Sequence, residues 1–230
     1  MTKDIMIFDT ETTDLCPKYI GLYMGNVDKW PSIMQLSYIM FNEETNRITK
    51  IRDYIIKIPE NIPISDDSIK IHGITREFSV NNGVDILPVL FEFMSDFEKA
   101  GKILGHNLEF DLKLLKAEIM RKIKYELYYF EKVCFEEYLD FIHNFKSYIC
   151  TMKETTDLCG IERTNSRGKY IKFPSLNELH FKLFETTPKN LHNALNDILV
   201  CLRCYYKYKY NVDLLENNIE LDYIYNKLLF

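Results

Sequence analysis

Three apolar runs of strand length, Ile5–Phe8, Ile33–Phe41 and Ile48–Ile58, come before the first segment with helical spacing, and this order restricts the fold more than any other feature. The second and third runs are rich in Ile and Tyr, and the polar stretch 42–47 between them fits a hairpin connection. Pro59 and Pro63 end the third run, and the periodicity then changes. Leu87, Leu90, Phe91, Met94 and Phe97 recur along one face of a helix predicted over 86–100. A short strand follows at Lys102–Leu104. Leu108, Leu112, Leu115, Ile119 and Ile123 then predict a helix over about 106–124. Segment 125–145 reads as a further aromatic-rich helix, Tyr148–Thr151 as a fifth strand, Ser175 as the N-cap of another helix, and about 193–210 as the last long helix. Such an order implies one α/β domain whose mixed five-stranded sheet is flanked by helices.

The 230-residue chain is 47% apolar, enough for a sizeable core, which excludes a disordered chain and a small disulfide-stapled fold. Lys and Arg number 29 against 34 Asp and Glu, so a net charge of -5 excludes a broadly basic coat for nucleic acid. A polyanionic ligand then requires local cation clusters, or bound metal ions that reverse the sign of an acidic cleft. The six cysteines are spread without a framework, and no cationic, apolar leader precedes the first strand. The expected setting is therefore intracellular and reducing, cytoplasmic or nuclear, not secretory. Cys201 and Cys204 have a spacing seen in zinc sites, but they lie in a helical run with no second ligand pair nearby, so core packing is expected. No apolar stretch approaches the ~20 residues that span a bilayer, and no membrane partner is expected.

Three polar elements stand where this fold class places ligands, at strand ends. Asp9 and Glu11 follow the first strand two positions apart, so their carboxylates share one side if the extended backbone continues. Alone, the pair reads equally as a polar strand end entering a turn. His106-Asn107-Leu108-Glu109-Phe110-Asp111 follows the fourth strand and puts Asp111 in the first turns of a helix, a position that the helix dipole favours for any acid. His192-Asn193-Ala194-Leu195-Asn196-Asp197 leads into the last long helix. His192 and Asp197 would stand about 140° apart on one continuous helix, so they act together only if His192 lies before the helix begins. Pro188 makes that late start reasonable.

Taken together, these elements resemble the DEDDh (DnaQ-like) family of 3'-to-5' exonucleases, the group that contains the proofreading epsilon subunit of DNA polymerase III. Asp9-Thr10-Glu11-Thr12-Thr13 looks like its first motif, His106-Asn107 with Phe110-Asp111 its second, and His192-x-Ala194-x-x-Asp197 its third. Ile71-His72-Gly73-Ile74-Thr75 is similar to a segment the family often carries between the first two, and Pro174-Ser175-Leu176 to the start of the helix before the third. The resemblance covers about residues 4–210. Relatives with tyrosine in the third motif place it four residues before the last Asp, where this chain has Asn193, so the histidine branch fits. Asp14 stands where a Gly is common, and the loop 15–31 is longer than usual. Residues 125–146 look like a helical insertion in a single exonuclease domain spanning 1–230.

The resemblance implies a ribonuclease H-like fold and a metal-dependent 3'-to-5' exonuclease that releases nucleoside 5'-monophosphates. Asp9, Glu11, Asp111 and Asp197 would hold two Mg²⁺ or Mn²⁺ ions, since hard oxygen ligands select such cations. Asp9 would bridge both ions, Glu11 and Asp197 would serve the nucleophile side, and Asp111 would complete the coordination. His192 would take the proton of the attacking water, because imidazole is the side chain suited to general-base work near neutral pH. Thr10, Thr12, His106 and Asn107 lie within the motifs and are candidate substrate contacts. The cationic stretch with Arg163, Arg167 and Lys169 is a candidate contact to the nucleic-acid backbone, although such stretches are as often merely solvated. DNA is expected ahead of RNA, with a DNA polymerase as a conceivable partner. Two alternatives stay open: the same chemistry on RNA, and a non-catalytic nucleic-acid-binding or polymerase-accessory module of the same fold.

Overall fold

The sheet is built around β1 (Asp4–Thr12), in which Ile5, Met6, Ile7 and Phe8 expose no surface. The computed structural model describes residues 4–216 and 218–229. On one side of β1 the hairpin β2 (Ile33–Asn42) and β3 (Arg47–Ile55) pairs antiparallel. On the other, β4 (Lys102–Gly105) and β5 (Tyr148–Cys150) run parallel, giving the order β3-β2-β1-β4-β5. A strand buried on both faces needs cover on both.

Strand alternation divides that cover. Met6, Phe8, Leu36, Tyr38 and Ile103 face a core closed by α3 (Ile86–Phe97), α4 (Leu108–Tyr125) and α5 (Tyr129–Asn144). Ile5, Ile7, Ile39, Phe41 and Leu104 face a second core closed by α8 (Leu176–Phe184), α9 (Ala194–Tyr210) and α10 (Ile219–Leu229). Two short helices, α1 (Asp66–His72) and α2 (Arg76–Asn82), precede α3, each capped by a hydroxyl, from Ser65 and Thr75. Gly73 ends α1 at φ +75°, a left-handed conformation that favours glycine. Cys201 and Cys204 are buried in α9 and pack in the second core, as their helical context predicts.

Besides α1 and α2, which precede the first predicted helix, three features depart from the sequence expectation. β1 does not stop at Phe8 but stays extended to Thr12, because Thr10 and Thr12 continue its buried alternation. The polar stretch after β5 forms two short helical turns, α6 (Thr151–Glu154) and α7 (Thr156–Cys159), and then an exposed hairpin of β6 (Glu162–Asn165) and β7 (Gly168–Ile171). α10 closes the chain beyond the last predicted helix. It buries Leu221, Tyr225 and Leu229, and the Tyr225 hydroxyl meets His180 Nε2 at 2.9 Å. The ends of β1 and β4 and the starts of α4 and α9 thus converge on one rim of the sheet.

Candidate active site

On β1, Asp9 stands opposite Ser37 and Glu11 opposite Gln35, so both carboxylates share the face beneath α9. Asp197, in the first turn of α9, comes down onto them. One carboxylate oxygen from each of Asp9, Glu11 and Asp197 lies within 4.8 Å of the others. Asp111 enters from the first turn of α4 and is not part of that trio. It is 2% exposed, and its Oδ1 accepts hydrogen bonds from the Thr10 N–H at 3.1 Å and the Thr10 hydroxyl at 2.7 Å.

Among the described residues, none of these four acids is ion-paired to a Lys, Arg or His. Burial and mutual repulsion therefore act with no cation to offset them, and hydrogen bonds, among them those from Thr10 and the His192 N–H, work against them. Burial first, and then the charges of Asp111, Asp197 and Glu11, hold the Asp9 carboxyl well above the ordinary range. Burial followed by Asp197 and Asp111 pushes Glu11 to about 8. Asp111 rises to about 7 through burial, against the lowering effect of its Thr10 hydrogen bonds, and Asp197 rises to about 7 for the same first reason. A cluster that resists losing its protons to water is one that a divalent cation can complete.

His192 lies outside α9, in the loop before the Asn193 cap, at φ +68° and exposed. Its backbone N–H faces both Asp197 oxygens, at 3.4 and 3.3 Å. The same loop is pinned from behind by α10, where Leu229 O accepts the Lys189 N–H at 3.0 Å and Leu228 O accepts from Asn190 Nδ2 at 3.1 Å. That support was invisible in the motif, since nothing in the sequence marks the last helix as its neighbour. A cavity of about 290 Å³ joins Asp9, Asp197 and His192 to Asn107, Met152 and Pro174.

The other predicted contacts divide by position. Asn107, exposed and left-handed at φ 63°, stands at the cavity mouth. Thr10 is spent on Asp111, and the Thr12 hydroxyl donates to Asp14 O at 2.7 Å. His106 has both ring nitrogens occupied, Nδ1 at 2.9 Å from the Thr151 hydroxyl and Nε2 at 3.1 Å from Pro174 O, and burial lowers its pKa to about 4. The neutral ring thus ties the end of β4 to the segment entering α8. Arg163, Arg167 and Lys169 are exposed on the β6–β7 hairpin and are not among the residues that line the cavity.

The exonuclease family model RNase_T matches residues 6–205, a span that takes in all four acids and His192. The chain belongs to the exonuclease family. Members of this family typically use divalent metals, which accords with the acidic trio. Solved structures of exonuclease I share the fold. One is 17% identical over 98% of this chain and 44% of its own, with a TM-score of 0.61. Escherichia coli exonuclease I in complex with a dT13 oligonucleotide is 16% identical over 91% of this chain and 42% of its own, with a TM-score of 0.61. Exonuclease I from Methylocaldum szegediense is 14% identical over 92% and 42%, again with a TM-score of 0.61. The chain thus spans less than half the length of these exonucleases. No curated protein matches it in sequence. Among the described residues, no helix is long and apolar enough to cross a membrane.

Proposed function

We propose that this exonuclease-family chain is a metal-dependent 3'-to-5' exonuclease of the DEDDh type, acting on DNA and releasing nucleoside 5'-monophosphates. The observation that carries the reading is the trio Asp9, Glu11 and Asp197, within 4.8 Å of one another and without a cationic partner among the described residues, with His192 at its rim. Its donors are all carboxylate oxygens, the set that suits Mg²⁺ or Mn²⁺. Asp9, Glu11 and Asp197 would hold the metal, with Asp111 free to contribute its second oxygen. When bound there, two such ions would supply charge neutralisation of the phosphodiester and activation of water.

The chain's own residues do the rest. His192 takes the proton of the attacking water at its imidazole, from a loop held by Asp197 and α10. Asn107 and Met152 separate the cavity from a neighbouring groove of about 560 Å³, lined by Tyr19, Phe110, Phe173, Lys113 and Lys153 among others. The aromatic faces suit the stacked bases of a single strand. Lys113 and Lys153 share Glu109 of the same groove, at 2.7 and 2.9 Å. The exposed hairpin cations Arg163, Arg167 and Lys169 would supply further contacts to the phosphate backbone. We read the chain as one exonuclease domain in which the helix near 125–146 is an addition, and propose a DNA polymerase as a partner. The relatives crystallised with dT13 and dA16 favour a DNA strand over RNA.

The deciding assay compares end-labelled single-stranded DNA, a mismatched primer and RNA side by side with Mg²⁺. Stepwise loss from the 3' end of DNA, abolished by EDTA, is the expected result. Release from the 5' end, or no release from any of the three, would overturn the proposal.

A further inference from the structure

β2 is apolar along its buried length except at Gln35, Ser37 and the Tyr38 hydroxyl, and Gln35 is 1% exposed. A buried primary amide needs partners at both ends. Strand register supplies them. Gln35 stands opposite Glu11, while Ser37 stands opposite both Asp9 on β1 and Asp53 on β3. Gln35 Nε2 and the Ser37 hydroxyl both donate to Asp53 Oδ1, each at 2.7 Å. A carboxylate only accepts, so Asp53 fixes the amide with its nitrogen toward β3 and its oxygen toward α9.

That oxygen, Oε1, accepts the N–H of Ala194 at 3.2 Å in a buried bond between residues far apart in sequence. Ala194 is the first residue of α9, and its N–H is one of the first-turn amides that a helix cannot satisfy internally. Asn193 caps locally, taking the Asn196 N–H on its side chain at 3.3 Å and the Asp197 N–H on its carbonyl at 3.0 Å. Those bonds hold the turn to itself. The Gln35 bond holds it to the sheet, at the strand beside β1 and three residues before Asp197.

We propose that Gln35, oriented by Asp53, is a positioning residue that sets the height of the first turn of α9 over β1, and so the spacing of Asp197 from Asp9 and Glu11. This role rests on the metal-dependent reading above and deepens it. Ligand sets tolerate little displacement, and loss of a group that orients a metal ligand typically weakens metal binding ~10–100-fold.

The test uses the full chain and two readouts: Mn²⁺ binding without nucleic acid, followed by electron paramagnetic resonance of free Mn²⁺, and kcat and KM on single-stranded DNA with Mg²⁺. Gln35→Leu should weaken Mn²⁺ binding at least ~10-fold and lower kcat, with KM changed less than about twofold. Asp53→Ala should act the same way, whereas Asp53→Asn, whose side-chain carbonyl still accepts from Gln35, should stay near the unaltered protein. Tyr38→Phe removes a 2.8 Å hydrogen bond to Asp96 on the other face of β2 and controls for lost stability alone. It should leave Mn²⁺ affinity unchanged. Mn²⁺ binding by Gln35→Leu equal to that of the unaltered protein, or an equal loss in Tyr38→Phe, would overturn the role of Gln35 while leaving the functional proposal standing. Should Gln35→Leu fail to fold, identical Mn²⁺ affinities for Asp53→Ala and Asp53→Asn would overturn it in the same way. No Mn²⁺ binding by the unaltered protein would instead overturn the metal reading, and the positioning role with it.

Discussion

Thr10 binds the Asp111 carboxylate twice, through its backbone N–H at 3.1 Å and its hydroxyl at 2.7 Å, both on the same oxygen. The two residues are 101 positions apart, and both are almost fully buried. The first and second motifs are thereby locked together from the side of β1 opposite Asp9 and Glu11.

Thr10→Val keeps the shape of the side chain and removes one of the two bonds. A hydrogen bond to a charged group contributes about 1.5–3 kcal/mol, so urea unfolding on the alkaline side of the Asp111 titration should show a loss of that order, largely restored in Thr10→Ser. The hydroxyl stabilises the ionised form of Asp111, whose pKa is about 7. Without it the carboxyl holds its proton to higher pH, and the acidic limb of the pH–rate profile should move alkaline. An unmoved limb would show that Asp111 need not ionise for turnover.

Asp9 is placed for chemistry at the expense of stability, since burial and three neighbouring acids all disfavour its charge. Asp9→Asn removes that charge without changing volume. At neutral pH in EDTA the variant should melt higher than the unaltered protein, by about 2–4 °C for each kcal/mol of relief, while Mg²⁺-dependent nucleotide release falls to background. A variant that melts lower in EDTA but remains active would remove Asp9 from the site.

The same burial, with repulsion added, predicts an unusual stability profile. Asp111 and Asp197 titrate near 7 and Glu11 near 8, all above the ~4 of an unfolded carboxylate. The folded state therefore binds protons more tightly than the unfolded one between those limits. Its stability is full below about pH 4 as far as these groups are concerned, and it declines as pH rises through 7 to 8. Melting temperature in EDTA should thus fall across this window, and saturating Mg²⁺ should restore most of the loss at its upper end. A metal-free melting temperature that rises from pH 5 to 8 would contradict the unpaired cluster.

The layers of this fold were legible because strand and helix periods are local properties. Ile5 and Ile7 alternate with Met6 and Phe8 in sequence, and in the structure the two pairs face different cores. The acids were legible because β1 and the starts of α4 and α9 carry them to one rim. What stayed hidden has no period to read. The β6–β7 strands are four residues each and exposed throughout, so they bury no stripe, although Asn165-Ser166-Arg167-Gly168 is a turn signal. Gln35 could have been noticed as an amide inside an apolar strand. Its partner, the N–H of Ala194, lies 159 residues away and leaves no mark on the sequence.

The hairpin makes a prediction of its own. Among the described residues the Arg163 and Arg167 side chains have no acidic partner, whereas Lys169 reaches Glu162 at 3.4 Å. If Arg163 and Arg167 meet a single strand's phosphates, Arg163→Ala with Arg167→Ala should weaken DNA binding and flatten its salt dependence, by about 0.7 in log–log slope per phosphate no longer neutralised. Lys169→Ala should do less. An unchanged slope would confine the hairpin to solvent.

His192 carries the sharpest distinction, between a base and a ligand. Its backbone N–H faces Asp197, and its side chain is exposed in a loop that α10 holds from behind. The carboxylates supply the oxygen ligands without it. His192→Ala should therefore reduce kcat by ~10²–10⁴, the range for a lost general base, while Mn²⁺ binding measured without substrate changes little. Glutamine at the same position should not restore the rate, because an amide cannot accept and return the proton. The opposite pattern, weakened Mn²⁺ binding with a normal rate for the metal-loaded fraction, would make the imidazole a metal ligand and leave the deprotonation of water to another group.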